Sequence, residues 1–167
     1  MSAPANANRD GGRPALVTGG AGFVGVNLAD ALASEGQEVI VYDALARAGV
    51  EANLAWLRQR HPGRITAILA DVRDRGELAR AVAEAGAVFH FAAQVAVTTS
   101  LVAPREDMEV NLGGTLNLLE AIRARSAPVP LLYASTNKVY GDLPDIDLAL
   151  EGDAYLPTDP GLRARGI

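Results

Sequence analysis

Residues 18–25 read TGGAGFVG, directly after the apolar run ALV. The stretch satisfies Gly-x-x-Gly-x-x-Gly through Gly19, Gly22 and Gly25, and Gly-x-Gly-x-x-Gly through Gly20, Gly22 and Gly25. The glycines divide the work. One makes a tight turn, one lacks the Cβ that would keep backbone from a pyrophosphate, and one lets helix pack on strand. A helix opening at Phe23, Val24 and Gly25 then turns free N–H groups and its dipole toward phosphate charge. Asp43, 18 residues past Gly25, closes a second apolar run, VIVYD. A carboxylate there accepts hydrogen bonds from adenosine ribose hydroxyls and repels a 2′-phosphate, so NAD is expected over NADP in spite of Arg47. Asp71 and Val72 end a third run at the same edge, where adenine would lie.

A second chemical stretch is LYASTNKVYGD, residues 132–142. It sets hydroxyls, an amide and Lys138, the only lysine of the chain, after an apolar run. No tyrosine has a lysine four residues on: Ala46, Asn137, Pro144 and Asp159 follow Tyr42, Tyr133, Tyr140 and Tyr155 at that spacing. Lys138 reads as a site-lining or salt-bridging residue.

The elements that position these residues alternate in type. Short apolar runs at 15–19, 37–43, 64–71, 87–93 and 129–135 read as strands. Amphipathic stretches between them read as helices, with Asp74 and Glu77 as a capping box for the third. The residues 94–104 read as a loop, followed by a long helix over about 105–125 with Met108, Leu112, Leu116, Leu119 and Ile122 on one side. Apolar strands without clean alternation suit a parallel sheet covered on both faces. Right-handed crossovers make that a doubly wound α/β sheet, Rossmann-like, in the order 3-2-1-4-5. The expected organisation is a flexible segment over 1–12, a nucleotide-binding domain over 13–140, and a loop or disordered tail over 141–167. The tail holds three prolines, four glycines and six acidic residues.

Composition narrows the function. A net charge of −5 and scattered arginines argue against nucleic acid as partner. There is no cysteine, and His61 and His90 share no ligand spacing, so no metal is expected. No signal-like segment opens the chain and no apolar run reaches membrane-spanning length, so no membrane partner and a cytoplasmic location are expected.

The motifs TGGAGFVG, VYDAL, ADVRD, VFHFAAQ, NLGGTLNLLEA and STNKVYGD, in this order, resemble the extended short-chain dehydrogenase/reductase family, the NAD-dependent sugar-nucleotide epimerases and dehydratases. Within it, DALARAGVEANLAWL, AAQVAVTTS and STNKVYGDL look most like the 2-epimerases. The resemblance implies that bound NAD oxidises and re-reduces a sugar ring carbon. It makes Phe91, Ala92 and Ala93 the wall beside the nicotinamide ribose, and adds Asn111 and Ser135 to the cofactor site. Gln94, Ser100, Asn137 and Lys138 would face the sugar nucleotide. Thr136 matches the Ser/Thr of the family's Ser/Thr–Tyr–Lys group, whose hydroxyl holds the sugar oxygen during proton transfer. The Tyr-x-x-x-Lys partner and the sugar-nucleotide domain are missing, so the resemblance implies a piece of a longer epimerase that holds nucleotide without turnover. A 4,6-dehydratase is the alternative, but Asn137 and Lys138 stand where that subgroup carries an acid pair. Self-association is expected through the helix 105–125 or the strand 129–135, whose family neighbours are absent.

Overall fold

The fold begins with five short apolar strands that can be buried only if both of their faces are covered. In the computed structural model, which describes residues 12–136, 139 and 141–165, they are β1 (Ala15–Thr18), β2 (Val39–Asp43), β3 (Ile65–Leu69), β4 (Ala87–His90) and β5 (Leu131–Tyr133). They form one sheet in the order β3-β2-β1-β4-β5 with every pair parallel, which is the expected doubly wound topology. Alternate side chains feed two cores. Ala15, Val17, Val39 and Val41 pack with α1 (Phe23–Ser34) and α2 (Val50–Arg60). Leu16, Ile40, Tyr42 and Val88 pack with α3 (Arg75–Glu84) and with Leu118 of a later helix. Leu16, Leu57, Leu78 and Leu118 are fully buried, each contributing roughly 1.5–3 kcal/mol. Asp74 caps α3 by accepting from Gly76 N and Glu77 N, both at 3.0 Å, while Glu77 pairs with Arg80 rather than completing the box.

Three expectations are corrected. The region 94–104 is not all loop: α4 (Val97–Val102) lies within it. The single helix over 105–125 is α5 (Pro104–Met108), a π turn (Glu109–Gly113) and α6 (Gly114–Arg123). Gly114 allows close approach to the turn after β3, since a Cβ there would stand 2.5 Å from Val72 Cγ2. Val110, Gly114 and Leu118 face inward, whereas Met108, Leu112, Leu116 and Leu119 are exposed.

The third correction concerns the tail. The chain divides between Ala134 and Ser135 into two compact units. The second carries an antiparallel hairpin, β6 (Leu148–Glu151) with β7 (Ala154–Pro157), then α7 (Pro160–Arg165). Gly152 at φ +63 opens a two-residue Gly-Asp connection, the choice that matches strand twist in a hairpin. Arg163 of α7 pairs with both carboxylate oxygens of Glu151.

Candidate cofactor cleft

The glycine turn is built by packing before it can bind anything. Gly19 has φ +67, and a Cβ on it would stand 2.7 Å from Ala92 N. On Gly20 it would meet Val17 O at 2.7 Å, and on Gly25 it would meet Gly19 O at 2.2 Å. Those three positions exclude any side chain for internal reasons. Gly22 differs: its φ of −70 suits any residue, and a Cβ would meet only Gly19 O at 3.2 Å. It lines the cleft, so the space above it is open to a ligand. Gly22 is also the N-cap of α1, whose first turn carries no acidic residue and no side-chain cap. The first-turn amides and the positive end of the helix dipole are therefore offered to an outside anion.

Asp43 lines the same cleft from the end of β2. Its Oδ2 accepts from Ala21 N at 3.0 Å and its Oδ1 from Leu45 N at 2.8 Å, so the carboxylate ties the turn to the loop after β2. A carboxylate has about four acceptor sites, and these two bonds leave others for hydroxyl donors. Asn53 of α2 clamps the turn as well, donating to Ala21 O at 2.9 Å. Tyr42 donates its hydroxyl to Asp71 O at 2.8 Å, and burial pushes its phenol pKa upward. Arg73 donates to both Asp71 oxygens and holds that carboxyl below the usual carboxylate range.

These groups surround one cleft of about 500 Å³, lined by Gly19, Gly22, Asp43, Arg47, Asp71, Val72, Phe91, Ala92, Ala93 and Gln94 among others. Eight of the expected cofactor residues thus come together: Gly19, Gly22, Asp43, Asp71, Val72, Phe91, Ala92 and Ala93, with Gln94 from the substrate set beside them. Gly25 is buried beneath the turn, and Phe23 and Val24 are exposed at the start of α1, outside the lining. Asn111 acts from behind, accepting from Gln94 N at 2.8 Å and donating to Gln94 O at 2.9 Å and Asp107 Oδ1 at 3.1 Å. Ser100, in α4, donates to the same Asp107 oxygen at 2.9 Å. Ser135 and Thr136 open the second unit. Asn137 and Lys138 lie outside the described residues.

Sequence reasoning misses Asn53 and His90. Asn53 gives no signal, because an amide within a helix is ordinary. His90 enters the sequence reading only as a metal ligand that lacks a partner at the right spacing. It is buried between Thr18 and Thr115, stacks on Tyr133 with ring centroids 5.8 Å apart, and burial pushes its pKa down to about 4.

Comparison with known proteins gives the same assignment. The family described as GDP-mannose 4,6 dehydratase matches residues 16–160. The CDP-paratose 2-epimerase of Salmonella typhi is 45% identical over 130 residues, covering 77% of this chain and 38% of that protein. The dTDP-glucose 4,6-dehydratase of Mycolicibacterium smegmatis is 39% identical over 147 residues, covering 87% of this chain and 42% of that protein. The crystal structure of UDP-glucose 4-epimerase from Bifidobacterium longum with NAD+ and UDP superposes with a TM-score of 0.70 at 30% identity, over 86% of this chain and 42% of that one. The chain spans about two-fifths of the length of these relatives. Glycine turn, strand order and sequence agree, and the chain belongs to the GDP-mannose 4,6-dehydratase family, whose matched relatives are sugar-nucleotide epimerases and 4,6-dehydratases.

Proposed function

We propose that this chain is the NAD-binding portion of a sugar-nucleotide epimerase. The observation that carries the reading is the open space above Gly22, set between an uncapped helix N-terminus and the Asp43 carboxylate. In it, the amides of residues 22–25 would hold the pyrophosphate, and Asp43 would accept from the ribose hydroxyls. Asp71, pinned by Arg73, and Val72 would border the adenine, while Phe91, Ala92 and Ala93 would wall the nicotinamide end. Bound NAD would supply hydride acceptance and return, and the protein's share is to bind, orient and exclude water. Thr136 would hold the sugar oxygen whose proton moves. Tyr-x-x-x-Lys does not occur in these 167 residues, so this chain by itself holds nucleotide without turnover. Asn137 and Lys138, in place of an acid pair, favour epimerase over 4,6-dehydratase.

The same reading includes a sugar nucleotide as substrate of the full-length protein and a cytoplasmic location. It also includes self-association: Met108, Leu112, Leu116 and Leu119 are exposed along α5, the π turn and α6, and β5 ends the sheet with one edge unpaired among the described residues. Calorimetric titration with NAD and NADP tests the central claim. Saturable NAD binding, tighter than NADP, is expected; no NAD binding overturns it.

A further inference from the structure

His90 has no part in the role just proposed, yet it is only 2% exposed and both of its ring nitrogens face hydroxyls. Thr18 Oγ1 lies 2.6 Å from Nδ1, and Thr115 Oγ1 lies 3.3 Å from Nε2. Proton positions follow from the outer partners. Thr115 Oγ1 stands 2.6 Å from Asn111 O, and a carbonyl can only accept, so the Thr115 hydroxyl donates there and accepts from Nε2–H. Nδ1 is then the bare nitrogen and accepts from Thr18, whose oxygen receives Ala92 N–H at 3.3 Å. Burial favours the neutral ring that this arrangement requires. The bonds run one way, from Ala92 N–H through Thr18, His90 and Thr115 to the Asn111 carbonyl. Asn111 in turn grips both backbone groups of Gln94. The segment 91–93 is thus tied at Phe91 and Ala92 from Thr18 of β1, and just past its end, at Gln94, from Asn111 of the π turn.

We propose that His90 is a positioning residue: as the Nε2–H tautomer it joins Thr18, beside the glycine turn, to Thr115, beside the π turn, and so fixes the wall 91–93 against Gly19 for the bound cofactor. This rests on the reading that the cleft takes NAD. A histidine that served only as packing would also need both nitrogens hydrogen-bonded; the positioning role differs in requiring that cofactor affinity follow the bond to Thr115.

Nitrogen NMR of the histidine-labelled chain without cofactor, together with NAD calorimetry, tests the proposal on Thr115→Val and Thr115→Ser. Valine keeps the shape and removes the acceptor; serine keeps the acceptor. A neutral Nε2–H signal is expected in the wild type and Thr115→Ser, and a shifted tautomer balance in Thr115→Val. NAD affinity should fall about tenfold in Thr115→Val, the worth of roughly one hydrogen bond, and return in Thr115→Ser. An Nδ1–H tautomer in the wild type, or a folded Thr115→Val with unchanged signal and affinity, overturns the positioning role alone. A wild type that binds no NAD overturns the cofactor reading and this proposal with it. Should Thr115→Val fail to fold, the wild-type tautomer and Thr18→Ser against Thr18→Val decide by the same criteria.

Discussion

Gly22 and Gly25 belong to one motif, yet alanine at the two positions should fail for different reasons. At Gly25 the new methyl would stand 2.2 Å from Gly19 O and 2.6 Å from Gly20 Cα, backbone atoms that cannot yield without opening the turn. The cost should exceed the roughly 1–3 kcal/mol of ordinary overpacking. At Gly22 the methyl meets one oxygen at 3.2 Å, and the backbone already has an ordinary φ. Loss of a good N-cap costs about 1 kcal/mol, and the smaller unfolded-state entropy of alanine returns about 0.4–1 kcal/mol. Gly22→Ala should therefore fold with nearly wild-type stability. Its methyl nevertheless occupies the approach of the pyrophosphate. Losing one backbone hydrogen bond to a charged group is worth about 1.5–3 kcal/mol, which is roughly 10- to 150-fold in affinity. Gly22→Val should abolish binding. Urea unfolding without ligand gives the stabilities and calorimetry with NAD gives the affinities. A folded Gly22→Ala that binds NAD as the wild type does would refute the phosphate assignment.

Four further outcomes are expected. Asp43→Asn should weaken NAD while narrowing the preference over NADP, because the repelling charge goes and one of the two acceptances from Ala21 N and Leu45 N is lost with it; unchanged selectivity in calorimetry counts against a ribose role for Asp43. His90 has a folded pKa of about 4 against 6.5 unfolded, so below pH 6.5 the unfolded state takes up the proton first. Stability should be highest above pH 6.5 and fall by roughly 3 kcal/mol as pH drops to 4, and urea midpoints that stay flat over that window refute a buried neutral ring. Light scattering should show the wild type larger than a monomer and Leu112→Glu or Leu116→Glu shifted toward monomer; a monomeric wild type at high concentration removes the association proposal. Coupled assays with NAD and a nucleotide sugar should show no epimerisation by the 167-residue chain, and turnover above a blank would mean that some other group serves as the base.

The parts of the fold that rest on repeated local signals were legible in the sequence. Five apolar runs separated by amphipathic stretches leave little choice but a covered parallel sheet. Crossover handedness limits the order without selecting one, and β3-β2-β1-β4-β5 was expected because the glycine turn after the first strand suits a Rossmann-like sheet. Gly19, Gly22 and Asp43, singled out by spacing, line one cleft, although spacing could not show that Gly19, Gly20 and Gly25 answer to packing and Gly22 alone to open space. The π turn was hidden because Glu109, Val110 and Asn111 fit a plain helix, and only the wider hydrogen bonding distinguishes them. The hairpin after Leu148 did carry a signal, Gly-Asp between LALE and AYLP, but prolines and acidic residues around it outweighed that dipeptide. His90 was illegible in a different way. Its role depends on Thr18 and Thr115, which only the folded sheet and helix bring to the same ring.

The π turn also sets a phase. Along an α-helix, residues four apart drift around the axis by about 40° at each step, so a stripe spaced by fours would spiral away from one side. A wider turn, closed by i→i+5 bonds, takes part of that drift back. Met108, Leu112 and Leu116 flank and span the segment Glu109–Gly113, and all three remain exposed. Between them, Asn111 stays turned inward to Gln94. The wider turn absorbs one extra residue, so closing the same five residues as plain α-helix would rotate α5 against α6 by about 100°, the angle of one residue. Either the outward stripe or the inward amide would then lose its direction, so the phase of the two helices rests on the wider hydrogen bonding of this segment.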